Sequence, residues 1–141
     1  MQVANIIPRW NLVELAFVQD AVAATQTAAA LNPQGAHGVV LDNVGITMPQ
    51  EGYVVGISLN LSAASTNGTL TVVPTIDTTV VTDPTLSVTT AVVGSDFAKR
   101  HTTHFAKHAV IGAALTTTGA WTAETMDLYV SVWVVLKVPM I

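Results

Sequence analysis

The sequence predicts an all-β protein, an antiparallel sandwich or barrel carrying an extended N-terminal arm. Three observations carry that expectation. Half of the 141 residues are apolar, yet they fall in short runs, none near the 18 or more consecutive positions that a membrane helix needs. Two segments alternate apolar and polar residues with the period of two that half-buries a strand. Most of the remainder is rich in Thr and Val and is broken every few residues by Gly, Pro or Asn, as in sandwiches and barrels. A chain of this length fits one domain, which the sequence places at residues 13–141 behind an arm of residues 1–12.

The arm, MQVANIIPRW and the two residues after it, contains Ile6, Ile7 and Trp10 without a strand pattern, and Pro8 interrupts regular structure. An apolar terminal segment needs something to dock on. The candidates are the chain's own core, a neighbouring subunit or another surface. This stretch lacks the charged start and apolar core of a signal peptide.

Glu14–Leu31 is rich in Ala, the best helix former. It also holds Phe17, Val18, Val22, Thr25 and Thr27, which favour strands. Without a 3.6-residue apolar stripe, two short strands are the expectation. Asn32-Pro33-Gln34-Gly35 reads as a turn and Gly38–Leu41 as the start of another strand. In Tyr53–Ser62, Val55, Ile57, Leu59 and Leu61 alternate with Gly56, Ser58 and Asn60. Asn67-Gly68 is a turn signal, and Leu70, Val72, Pro74 and Ile76 then alternate with threonines and Val73. The two segments read as a hairpin, with Pro74 placing its strand at an edge or a bulge. Asp77-Thr78-Thr79 and Asp83-Pro84 mark further turns around a short Val80–Thr82 strand, and Leu86 and Val88 alternate with Ser87 and Thr89. The cleanest strand comes late. Leu128, Val130, Val132, Val134 and Leu136 line one face, opposite Tyr129, Ser131, Trp133, Val135 and Lys137.

Composition excludes several functions. Only 10% of residues are charged, five Lys and Arg against nine Asp and Glu, and there is no cysteine. Disordered chains are charged and poor in apolar residues, so disorder is excluded. A disulfide scaffold and thiolate metal sites are excluded too. A net charge of −4 argues against general nucleic-acid binding, which is built from clustered Lys and Arg.

No catalytic or cofactor motif emerges. No serine sits in a G-x-S-x-G elbow, and no phosphate loop or dinucleotide fingerprint is present. Asp77, Asp83 and Asp96 are better read as caps of turn amides than as paired catalytic carboxylates. Neither enzyme activity nor a cofactor is expected. The segment Lys99–His108 concentrates three of the five basic residues and three of the four histidines. His101, His104 and His108 would share a face only on a helix, and no Cys or Glu completes a usual zinc set. A solvated or interfacial basic segment, suited to an acidic protein surface, is the better reading.

Aromatic residues point to contact surfaces. Tyr129 and Trp133 share the face opposite the aliphatic stripe of the last strand, where Val135 joins them, so a second layer or another subunit should cover that face. Trp121 follows Thr118-Gly119-Ala120 and is more readily core than ligand platform. The interface candidates are therefore Ile6, Ile7, Trp10, Lys99, Arg100, His104, Tyr129 and Trp133.

The order GYVVGISLNLS, NGTLTVVPTID, TVVTDPTLSVT and MDLYVSVWVVL resembles the capsid decoration (cement) proteins of tailed bacteriophages, over roughly Val39–Leu136. The resemblance implies a jelly-roll-like sandwich and a homotrimer seated on the outer capsid surface of the virion. Such a protein is made in the host cytoplasm and stabilises the shell, with terminal arms linking neighbours; here Ile6–Trp10 could be such an arm. Its implied partners are copies of itself and the major capsid protein shell, with no nucleic acid and no membrane. The competing class is a carbohydrate- or receptor-binding sandwich of a phage fibre or appendage. Sugar sites favour aromatics with Asp, Asn and Gln in loops, whereas this chain has three Trp, two Tyr and three Phe and loops mostly of Thr, Ala and Gly.

Overall fold

In the computed structural model, which describes residues 9–34, 45–99, 102–121 and 126–138, the chain forms strands only. They are β1 (Arg9–Gln19), β2 (Ala29–Ala30), β3 (Asn32–Pro33), β4 (Ile46–Thr47), β5 (Gly52–Leu61), β6 (Leu70–Ile76), β7 (Thr79–Val80), β8 (Leu86–Val88), β9 (Val93–Phe97), β10 (His104–Phe105), β11 (Val110–Thr117) and β12 (Leu128–Val138). No helix among the described residues is long and apolar enough to cross a membrane.

All the pairings are antiparallel, in two sheets packed as a β-sandwich, one of them curled into a half-barrel. Sheet A runs β10-β5-β12-β1-β3, with β9 sharing the outer edge of β5. Sheet B runs β2-β11-β6-β7, with β4 beside β2 on β11 and β8 beside β7 on β6. Alternation explains the layers. Leu128, Val130, Val132 and Val134 of β12 are buried inward and meet Leu61, Leu59, Ile57 and Val54 across the ladder to β5. On the facing sheet, Leu70 and Val72 of β6 and Ile111, Ala113 and Leu115 of β11 close the same core. Trp121 is buried as core.

Four expectations change. First, Arg9–Leu12 belongs to the fold: β1 is one continuous strand from Arg9, paired with β12 from Arg9↔Val138 to Gln19↔Leu128. The arm boundary at residue 12 is therefore too late, and residues 1–8, with Ile6 and Ile7, lie outside the described residues. Second, of the two short strands expected in Glu14–Leu31, one is the end of the long β1 and the other is β2 (Ala29–Ala30). Residues 14–19 complete β1, whose polar-apolar mixture reflects apolar side chains on both faces. Third, β5 and β6 do not form a hairpin. The Asn67-Gly68 loop carries the chain from sheet A to sheet B, because both edges of β5 are taken, by β12 and by β9 with β10.

The fourth change concerns Pro74. Its strand is not an edge, since β11 lies on one side and β7 and β8 on the other. Pro74 occupies the gap between those two short strands. Its carbonyl accepts from Val81 N at 2.9 Å, so its ring nitrogen faces that same side, where no ladder partner is required.

Turn chemistry holds the connections. Asp77 and Thr78 adopt positive φ between β6 and β7, and Asp77 Oδ1 accepts from Val110 N at 2.9 Å. Asp83 Oδ2 accepts from Lys99 N at 3.1 Å and from the Thr102 hydroxyl at 2.7 Å. Asp96 Oδ2 accepts from Thr85 N at 3.2 Å. All three carboxylates cap backbone amides, although Asp96 does so from within β9. Gly68 has φ +82°, and a Cβ there would stand 2.4 Å from Trp121 N; the loop needs glycine on both counts. The expected strand at Gly38–Leu41 lies outside the described residues.

Candidate interaction surface on the outer face of sheet A

The face of sheet A turned away from the core is built by alternate residues of β1, β12, β5 and β9. Register sets its rows. Leu12, Val135 and Tyr53 form one; Glu14, Trp133, Gly56 and Phe97 the next; Ala16, Ser131, Ser58 and Ser95 a third; Val18, Tyr129, Asn60 and Val93 the last. A bulge between Trp133 and Val134 leaves Val55 as the extra residue of β5, a device that re-aims side chains next to sites. Gly56 keeps the second row open, since a Cβ there would lie 3.2 Å from the Phe97 ring.

The first two rows make an apolar groove of about 380 Å³, bounded by Leu12, Val55, Phe97 and Trp133 with Ser58 and Ser95. Its members are open to water to an unusual extent. Phe97 is 76% exposed and Leu12 62%. Trp133 is half-buried, and its indole N–H donates to Ser58 Oγ at 3.2 Å. The ring is thus fixed while its apolar surface borders the groove. An amphipathic aromatic held this way is characteristic of binding hot spots.

Polar groups frame the groove. Glu14 accepts from the Ser131 hydroxyl at 2.7 Å and the Tyr129 hydroxyl at 3.1 Å. Partial burial, then Glu14, raise the Tyr129 phenol above its ordinary value, because both disfavour a second negative charge there. At the opposite end, Glu51 receives Lys137 Nζ and His104 Nε2, each at 3.2 Å. These two partners, Lys137 foremost, hold the Glu51 carboxyl below the usual carboxylate range. The His104 ring meets Tyr53 edge-on at 5.2 Å.

The sequence-derived candidates separate accordingly. Tyr129 and Trp133 share the outer face of sheet A, and His104 lies at its rim, on β10. Trp10 lies on β1, but only its backbone is described. Lys99 stands after β9, its amide tied to Asp83 and its side chain exposed. Arg100, like His101, Ile6 and Ile7, falls outside the described residues. Of the described histidines, His104 is in a strand and His108 adopts φ 68° in a turn. Among the described residues no group of three His, Cys, Asp or Glu is placed to hold a metal ion.

Sequence reading missed Leu12 and Phe97, the two most exposed large apolar side chains among the described residues. Leu12 was assigned to the arm. Val93, Ser95 and Phe97 do alternate with Gly94 and Asp96, but an inward Gly and Asp conceal the pattern; a Cβ at Gly94 would come within 3.1 Å of Leu86 on the facing sheet.

No protein-family model matches the chain, and no curated protein is detectably similar to it.

Proposed function

We propose that this chain is a non-enzymatic virion structural protein that decorates and stabilises the outside of a phage capsid as a homo-oligomer, a trimer by resemblance. The apolar end of the outer face of sheet A, around Leu12, Val55, Phe97 and Trp133, is buried between its copies. The observation that carries the assembly half of this reading is the groove of Leu12, Val55, Phe97 and Trp133, open to water in the single chain. Apolar surface of this kind marks contact sites, and fourteen charged residues in 141 leave little else to keep it in solution as a monomer. The partner is a second copy because the groove's rim carries both signs of charge, Glu51 beside Lys137 at one end and Glu14 within the rows. The patch therefore offers each copy complementary charges. The virion setting comes from the resemblance in strand order and turn placement.

Two measurements test it. The mass of the purified chain in solution should be that of a closed oligomer at micromolar concentration, and a monomer there would overturn the self-association. Added to undecorated capsids of the phage that encodes it, the chain should give ordered, saturable density on the shell by electron cryo-microscopy. A bare shell at every concentration would overturn the capsid role while leaving self-association standing.

A further inference from the structure

The other end of the same face differs in chemistry, and we infer that the cleft there binds a neutral carbohydrate. The cleft, of about 330 Å³, opens where β1, β5 and β12 run out, and is lined by Asp20, Asn60, Ser62, Asp127 and Tyr129. That volume lies at the lower end of small-molecule sites and suits a single sugar ring better than a larger ligand.

Tyr129, Asp127, Ser62 and Asn60 are the groups that meet the sugar. Tyr129 stands between Val18 on β1 and Asn60 on β5, and its hydroxyl is committed to Glu14. The ring is therefore held as a flat surface for the C–H face of a sugar. Asp127 Oδ1 accepts from Ala21 N at 3.1 Å, which leaves its other oxygen to accept from a ligand. Ser62 Oγ accepts from Asp127 N at 2.8 Å, so its proton is available to donate. The Asn60 amide is exposed and bonds to no other described residue; it brings two donors and an acceptor.

Donors and acceptors interleaved beside an aromatic ring match sugar hydroxyls, each of which gives and takes a hydrogen bond. Asp127 repels an anionic ligand. With the ring and carboxylate already positioned by the fold, little ordering is lost on binding. Sequence spacing could not show this set, because residues 20, 60–62, 127 and 129 meet only through the β1-β12-β5 order of sheet A.

The inference is independent of the assembly reading, because the cleft lies within one chain. Its test is an NMR titration of the ¹⁵N-labelled full chain with neutral hexoses, pentoses and N-acetylhexosamines to tens of millimolar. A parallel arm uses calcium chloride alone. At least one sugar should give saturable shifts centred on Asn60, Ser62, Asp127 and Tyr129. Asn60→Ala, an exposed change, should leave the spectrum folded and weaken binding about fivefold to tenfold, the worth of a neutral hydrogen-bond pair. Asp127→Asn should weaken it as well. Absence of shifts with every sugar, shifts indifferent to both substitutions, or saturation by calcium without any sugar response would each overturn the inference. The oligomer mass, measured on the same samples, reports separately on assembly.

Discussion

Phe97→Ser separates the two roles that an apolar side chain can have. The ring is 76% exposed, so it contributes little to its own domain. Exposed substitutions of this kind shift stability by within about 0.5 kcal/mol. Association is another matter. A phenyl side chain buries at least about 150 Å² when fully covered. With three quarters of it still in water, roughly 110–150 Å² remains to be covered by a neighbouring copy. At about 25 cal/mol per Å² this amounts to about 3–4 kcal/mol. Ordering and imperfect packing take back part of that, leaving about 2–3 kcal/mol, or roughly 30- to 150-fold in the dissociation constant. Analytical ultracentrifugation of wild type and variant over a dilution series reads the constant, and urea denaturation reads the stability. Unchanged association would remove the groove from the interface. A stability loss above about 1.5 kcal/mol would show that Phe97 supports its own fold and would refute the premise.

Three further outcomes follow from the geometry. Gly68→Ala forces an L side chain to φ +82° and drives Cβ into the Trp121 backbone, so it should lose about 2–4 kcal/mol in chemical denaturation. Glu14→Ala strips the acceptor from the buried Ser131 hydroxyl and from Tyr129, which should cost about 1–2 kcal/mol and lower the Tyr129 phenol titration, followed by ultraviolet absorbance. Glu51 titrates below the ordinary carboxylate value of 4.5. Its lowered pKa favours the fold above that value, and the benefit disappears as pH falls through the folded-state pKa. Lys137→Met should therefore move the Glu51 midpoint upward, read from its carboxyl ¹³C shift, and a midpoint that stays put would refute the assignment of Lys137 as the main cause.

What could be read before the fold was known depended on whether a strand has one wet face. In β12 the alternation is clean on the inner side, and in β5 it is broken only by the bulge, so both stood out. In β1, Val13, Leu15 and Phe17 point in, but Leu12, Ala16 and Val18 make the outer face apolar too, so the alternation is hidden and its start passed for an arm. Partner choice was hidden for a different reason. β5 lies next to β6 in sequence, yet β12, some seventy residues later, is its neighbour in space, and a turn motif such as Asn67-Gly68 does not say whether the chain reverses within a sheet or crosses to the other. The outer surface was half legible. Tyr129 and Trp133 could be seen on the strand most easily recognised, whereas Phe97 sits on a strand with Gly and Asp on its inner face, and Leu12 on one taken for something else.

The place of β12 between β1 and β5 also sets the timing of folding during synthesis. Of the twelve described strands it is the last to leave the ribosome, and until it does the middle of sheet A is missing. β1 and β5 emerge with only their outer ladders available, to β3 and to β9 and β10, and their inner edges must wait for the end of translation. Pairing over such sequence distances is slow to form and exposed to aggregation meanwhile. Release from a stalled ribosome short of residue 128 should yield insoluble protein.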